Sequence, residues 1–294
     1  FGSLFGFGGA LFIYYRSKKS ERKEQQENIK NEHLDRIQYF VTLLEGIINQ
    51  VDKQLEHLKN YIELQRKDEL DLQPLMKIVN QDISRINAQD SQGIFLALRY
   101  FLKDKENWIN DYRTVYASVD YISESNLEIR RIYESLNQKS YDNLLEVKRM
   151  IDSLPKRMSS YAMFIANQLE EKRYEDQNFM LLNKYIGKYQ ELIEQKVGFK
   201  KINNELLTPL LEEILKNYKK ENYADEITTL CSTIRVRMND VIDDVSTTLA
   251  NLERSIEPIL KHRNILEAEM KSLKLRKSSN EILTTPHTNT SQST

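Results

Sequence analysis

The sequence predicts an all-α protein of long amphipathic helices, and three observations carry that expectation. Breakers are scarce: five prolines and eight glycines in 294 residues, with Gly2, Gly6, Gly8 and Gly9 gathered at the very start. Lys, Glu, Leu, Gln and Arg, all strong helix formers, are abundant throughout. Apolar residues recur at spacings of three and four, and no stretch of any length alternates with the period of two that a half-buried strand shows. The architecture expected is an elongated helical bundle or partial coiled coil, preceded by an N-terminally incomplete transmembrane helix.

Residues 1–15 carry no charge and read as the membrane segment. Fifteen helical residues rise only about 22 Å, short of the roughly 30 Å hydrocarbon core, so the span needs further apolar residues upstream. Tyr14 and Tyr15 suit the interfacial belt, and Arg16, Lys18, Lys19, Arg22 and Lys23 form a basic juxtamembrane segment over 16–23. That order places the rest of the chain on the cytoplasmic side. A secretory signal would set its charges before the apolar run rather than after it. Gly2, Gly6 and Ala10 fall on one face at four-residue spacing, a pattern that lets membrane helices approach closely.

Leu34, Ile37, Val41, Leu44, Ile48, Val51, Leu55, Leu58 and Ile62 then alternate at three and four without a miss. Such a seam over about four heptads has the period of a coiled coil. Phe40, Ile47 and Tyr61 widen it on one side, which suits a helix packed against two neighbours. One helix is therefore expected from about 22 to 70, closed by Asp71-Leu72-Gln73-Pro74. Leu75, Val79, Ile83 and Ile86 mark a shorter helix, and 93–102 a brief buried one. Trp108, Tyr112, Val115, Val119, Ile122, Ile129, Tyr133 and Leu136 carry the second long helix, with a turn expected at Asn137–Ser140.

Leu144, Val147, Ile151 and Leu154 follow, and Pro155 is expected to break or kink the chain. Met158, Tyr161, Ile165 and Leu169 carry the next helix; Phe179, Leu182, Ile186, Tyr189 and Ile193 carry another, with Gly198 as its stop. Thr208-Pro209 reads as an N-cap and first-turn proline. The last helix starts near Tyr223, kinks at Pro258 and ends near Lys277. In domain terms, 24–277 is the helical domain and 278–294 a Ser/Thr-rich disordered tail.

Lys and Arg number 43 against 44 Asp and Glu, a balance unlike a dedicated nucleic-acid surface. One cysteine, Cys231, excludes an internal disulfide and a multi-thiolate metal site, and reads as a buried structural thiol. No phosphate loop, zinc-binding His-Glu-x-x-His or di-iron Glu-x-x-His pair occurs. His33, His57, His262 and His287 are scattered. Asp240, Asp243 and Asp244 share a helix surface but read as a solvated face, with Arg237 near enough to neutralise Asp240.

The chain thus points to no catalytic residue, cofactor, metal or small-molecule substrate. The function expected is a membrane-anchored, non-enzymatic scaffold or tether that acts through a protein partner or self-association along the Leu34–Ile62 seam. The alternative is a ligand-binding or signalling bundle coupled to the membrane helix.

Overall fold

The computed structural model describes the backbone of residues 2–77, 79–88, 91–102 and 107–282, and the side chains of 12–77, 79–88, 91–102 and 107–274. Among the described residues the regular elements are helices and no strand occurs. In chain order they are α1 (Gly2–Lys67), α2 (Gln81–Ala88), α3 (Ser91–Leu102), α4 (Trp108–Leu169), α5 (Gln177–Glu194), α6 (Phe199–Ile202), α7 (Thr208–Asn217) and α8 (Ala224–Ile282). Among the described residues no helix is long and apolar enough to cross a membrane. The expected transmembrane segment is therefore unsupported, and its small-residue face, Gly2, Gly6 and Ala10, lies outside the described side chains.

Two compact units divide the chain. One comprises Phe1–Leu55, Lys77–Ser125 and Glu257–Thr294; the other comprises Glu56–Met76 and Asn126–Ile256. The first unit buries Phe40, Leu44, Ile47 and Val51 of α1 together with Ile86, Ala97, Val119, Ile122 and Leu266. In the second, Leu58 and Tyr61 lie in the core with Val147, Ile151, Leu154, Met158, Leu182, Leu206, Ile214, Ile234 and Val241. At roughly 1.5–3 kcal/mol for each fully buried large aliphatic side chain, these positions are the main favourable term in each unit.

That burial explains why two expected breaks are absent. α4 runs without interruption through Asn137–Ser140 and through Pro155. Ser140 is fully buried and, with Leu136, Leu144 and Val147, continues the stripe at helical spacing, while Asn137, Gln138 and Lys139 form the exposed face of the same helix. A proline inside a helix costs about 3 kcal/mol. Around Pro155, however, Ile151, Leu154 and Met158 are each at most 1% exposed, and ending the helix there would forfeit their packing. Pro258 is likewise carried inside α8, with Leu252 and Ile259 buried on either side. Serines precede both prolines: Ser153 donates to the Met150 carbonyl at 2.7 Å and Ser255 to the Leu252 carbonyl at 2.6 Å. Such back-bonding hydroxyls commonly bend a helix.

Other helix ends have local causes. α1 stops because Gln65, fully buried, clasps the loop that follows it. Its Nε2 donates to the carbonyls of Asp68 and Asp71 at 3.1 Å, and its Oε1 accepts from the Gln73 amide at 2.8 Å. The helix expected from Leu75 begins only at Gln81. α5 opens on Asp176, whose carboxylate accepts from the Phe179 amide, an N-cap in the usual sense.

α5 does not end at Gly198. Lys196 adopts a left-handed φ of 52°. The Val197 amide then reaches back to the Leu192 carbonyl and the Lys196 amide to the Ile193 carbonyl, the pair of bonds that defines a Schellman motif. Gly198 caps the start of α6 instead. Nor does Thr208 cap a helix: α6 continues through a π-helical turn, Asn203–Leu207, straight into α7. Pro209 lacks an amide and would crowd the carbonyl four residues back; the wider turn just before it absorbs that mismatch.

Candidate functional site

The N-terminal end of α1 has a character found nowhere else among the described residues. Every residue from 12 to 29 is exposed, so this length of helix packs against nothing described. Phe12, Ile13, Tyr14 and Tyr15 are 67, 68, 55 and 67% exposed. Phe12, Arg16, Ser20 and Lys23, with Tyr15 and Lys19 beside them, recur at three- and four-residue spacings and line a shallow groove along one face. Lys18 reaches back over Tyr14, donating to its hydroxyl at 3.1 Å with the ammonium 5.3 Å from the ring centroid. Arg16, Lys18, Lys19, Arg22 and Lys23 thus sit directly beneath four exposed apolar and aromatic side chains.

The seam of α1 is used differently from the interaction surface expected of it. Ile37, Val41, Leu44, Ile48, Val51, Leu55, Leu58 and Ile62 are all buried within the single chain, and Leu34 is half-buried. In the first unit Phe40 stacks on Tyr116 of α4 at 6.0 Å, and Arg263 of α8 grips Asp52 with two hydrogen bonds of 2.8 and 2.9 Å. In the second, Tyr61 meets Tyr133 edge-on at 5.6 Å, and Arg66 pairs with Glu253 at 2.6 Å. The seam residues are thus buried by this chain's own helices.

The acidic set on α8 does not converge. Asp244 pairs with Lys139 at 2.7 Å, while Arg237 turns to Glu146 rather than to Asp240. Among the described residues no group of three or more His, Cys, Asp or Glu side chains is placed to hold a metal ion. Cys231 is completely buried, and burial pushes its thiol up to about 12, which leaves it a small core side chain with no thiolate at neutral pH.

His262 and His33 each pack against an aromatic ring. The Nδ1 of His262 lies 3.1 Å from Ser118 Oγ, and its ring stacks on Tyr121 with centroids 4.1 Å apart. Ser118 is 1% exposed, and the half-buried His262 covers its hydroxyl. His33 packs against Tyr100 at 5.1 Å.

One concave site was not singled out by sequence pattern. In the second unit a cleft of about 530 Å³ opens where the last turns of α4 meet the Asp176 cap and the turn that leads into α8. Its residues come from three separated segments, and each segment alone reads only as a helix stripe or a turn. The one local signal is a cluster of aromatic and acidic residues in turns flanking Tyr174 and Tyr223. No family model matches this chain, and comparisons with curated proteins and with solved structures find no match.

Proposed function

We propose that the protein is a membrane-associated, non-enzymatic helical scaffold or tether, held to the cytoplasmic face of a membrane by the N-terminal end of α1. The observation that carries this reading is the exposure of Phe12, Ile13, Tyr14 and Tyr15 immediately before five cations. Four large apolar side chains in water are a cost that a bilayer interface relieves, and each cation beside anionic headgroups adds about 1 kcal/mol. α1 continues from this end into the helical core, so whatever holds the first turns also holds the folded protein. Protein partners would meet exposed helix faces, since the α1 seam is filled.

The test is co-sedimentation of the full chain with vesicles of phosphatidylcholine, alone and with 30 mol% phosphatidylserine, at low and high salt. Binding to both vesicle types that persists in high salt, and is strengthened by the anionic lipid, is the expected result. A variant with Arg16, Lys19 and Lys23 all changed to Glu should lose the lipid-charge dependence. A full chain that stays in the supernatant with every vesicle overturns the proposal.

A further inference from the structure

The cleft of the second unit has the composition of a site for a positively charged guest. Its volume, about 530 Å³, falls within the roughly 300–1,000 Å³ typical of small-ligand pockets. Phe164 and Leu169 form an apolar wall, and Phe164 remains 57% exposed, an aromatic ring the fold does not use. Tyr161 and Tyr223 also line the space, their centroids 5.8 Å apart and their planes inclined at 52°. Both hydroxyls are already committed: Tyr161 donates to Glu226 at 2.6 Å and Tyr223 to Asn178 at 2.7 Å. The rings are thereby held in place, and a guest meets their carbon framework rather than two loose hydroxyls.

The charge is of one sign. Asp176 and Glu221 line the cleft, and no Lys, Arg or His is among the residues that do. Asp176 is fixed by its capping bond to the Phe179 amide at 2.8 Å. The Tyr223 hydroxyl registers both carboxylates: burial first, then Glu221, Tyr218 and Asp176, raise it well above the usual tyrosine range. An anionic guest would face two carboxylates. A neutral apolar one would leave them without a counter-charge. Among the described residues no group of three or more His, Cys, Asp or Glu side chains is placed to hold a metal ion, here or elsewhere.

We propose that this cleft binds a small organic cation, an ammonium group on an apolar body. The charge lies against Asp176 and Glu221, and the body against Phe164, Leu169 and the rings of Tyr161 and Tyr223. Aromatic rings attract such cations through their quadrupole as well as by contact. This site is independent of the membrane reading and stands or falls by itself.

Three probes test it on the full chain by ligand-observed NMR titration: choline, its uncharged carbon isostere 3,3-dimethylbutan-1-ol, and benzyltrimethylammonium. Choline should bind and its isostere should not, while benzyltrimethylammonium should bind more tightly because it adds an aromatic body. Glu221→Gln should weaken both cations by about two- to fivefold, and Phe164→Ala should weaken benzyltrimethylammonium more than choline. Both side chains are exposed, so circular dichroism should show each variant as folded as the parent. Equal binding of the isostere would make the cleft a plain apolar groove and overturn the proposal. So would the absence of binding by either cation, or unchanged affinities in both variants.

Discussion

His262 shows how much a single side chain can report. Its ring is wedged between Ser118 and Tyr121 in the first unit, and burial first, then the neighbouring Lys261, lower its pKa from the ordinary 6.5. The folded state therefore prefers the neutral imidazole. In the unfolded chain the ring binds its proton nearer pH 6.5, so between the two values the unfolded state holds more protons than the folded one. Stability from this group is complete above the unfolded value and is lost as pH falls through the lower, folded one. The denaturation midpoint should thus drop between pH 7.5 and pH 5. His262→Gln, which keeps a hydrogen-bonding group beside Ser118 but does not titrate, should reduce that drop. An identical pH profile in the variant would mean that other groups dominate the acid response.

At the scale of the element, the end of α5 and two glycines make a matched set. Lys196 holds φ at 52° to complete the Schellman motif, a conformation that costs a residue with a Cβ roughly 1 kcal/mol and glycine almost nothing. Lys196→Gly should therefore raise stability by about 0.5–1 kcal/mol. Gly187, in the middle of α5, has nothing within 4 Å of a built Cβ, so Gly187→Ala should gain a similar amount from helix propensity. Gly46 is the contrast: a Cβ there would lie 2.0 Å from Asp82 Oδ2, and Asp82 is tied to Gln50 and Arg85. Gly46→Ala should lose its propensity gain alone and recover it in an Asp82→Ala background. Urea denaturation of the single and double variants reads all of these, and additivity of Gly46→Ala with Asp82→Ala would sink the account.

The same scale shows what the sequence made legible. The seam of α1 could be read directly, because it repeats without a gap, but the helix ends at Lys67 rather than near 70, where the buried Gln65 clasps the following loop. The interior of α4 could not be read this way. Asn137 to Ser140 is polar in sequence, yet Ser140 lies in the core stripe, and the packing that overrides Pro155 is tertiary. In α5 the buried positions are Leu181, Leu182, Tyr185 and Leu192, while Ile193 is 44% exposed, so the expected stripe is rotated on the helix. For the cleft the reason is sharper still: Phe164, Asp176 and Glu221 are brought to one place by folding, and no spacing rule links them. The basic segment 16–23, by contrast, is local and was visible at once.

At the scale of the whole molecule, the decisive question is where the apolar seam of α1 is spent. Leu44 is fully buried and Val51 is 2% exposed within a single chain. Ile47, one turn from Leu44, is also completely covered, and Asp52 on the flank is gripped by Arg263. A seam committed to a second copy would stay exposed in an isolated chain; this one is part of the core. Changing Leu44 and Val51 together to Asp would put two carboxylates at buried core positions, and each such burial costs several kcal/mol unless the group is protonated or paired. A domain's whole stability is only about 5–15 kcal/mol, so the double variant should lose helical circular dichroism and its cooperative thermal transition at pH 7. If the variant instead kept its helicity and melting behaviour and only fell in mass by light scattering, the seam would be an interface between chains, and the packing described for α1 would be wrong at its centre. Leu64→Asp supplies the control: that residue is 48% exposed on the same helix, and the fold should tolerate the charge there.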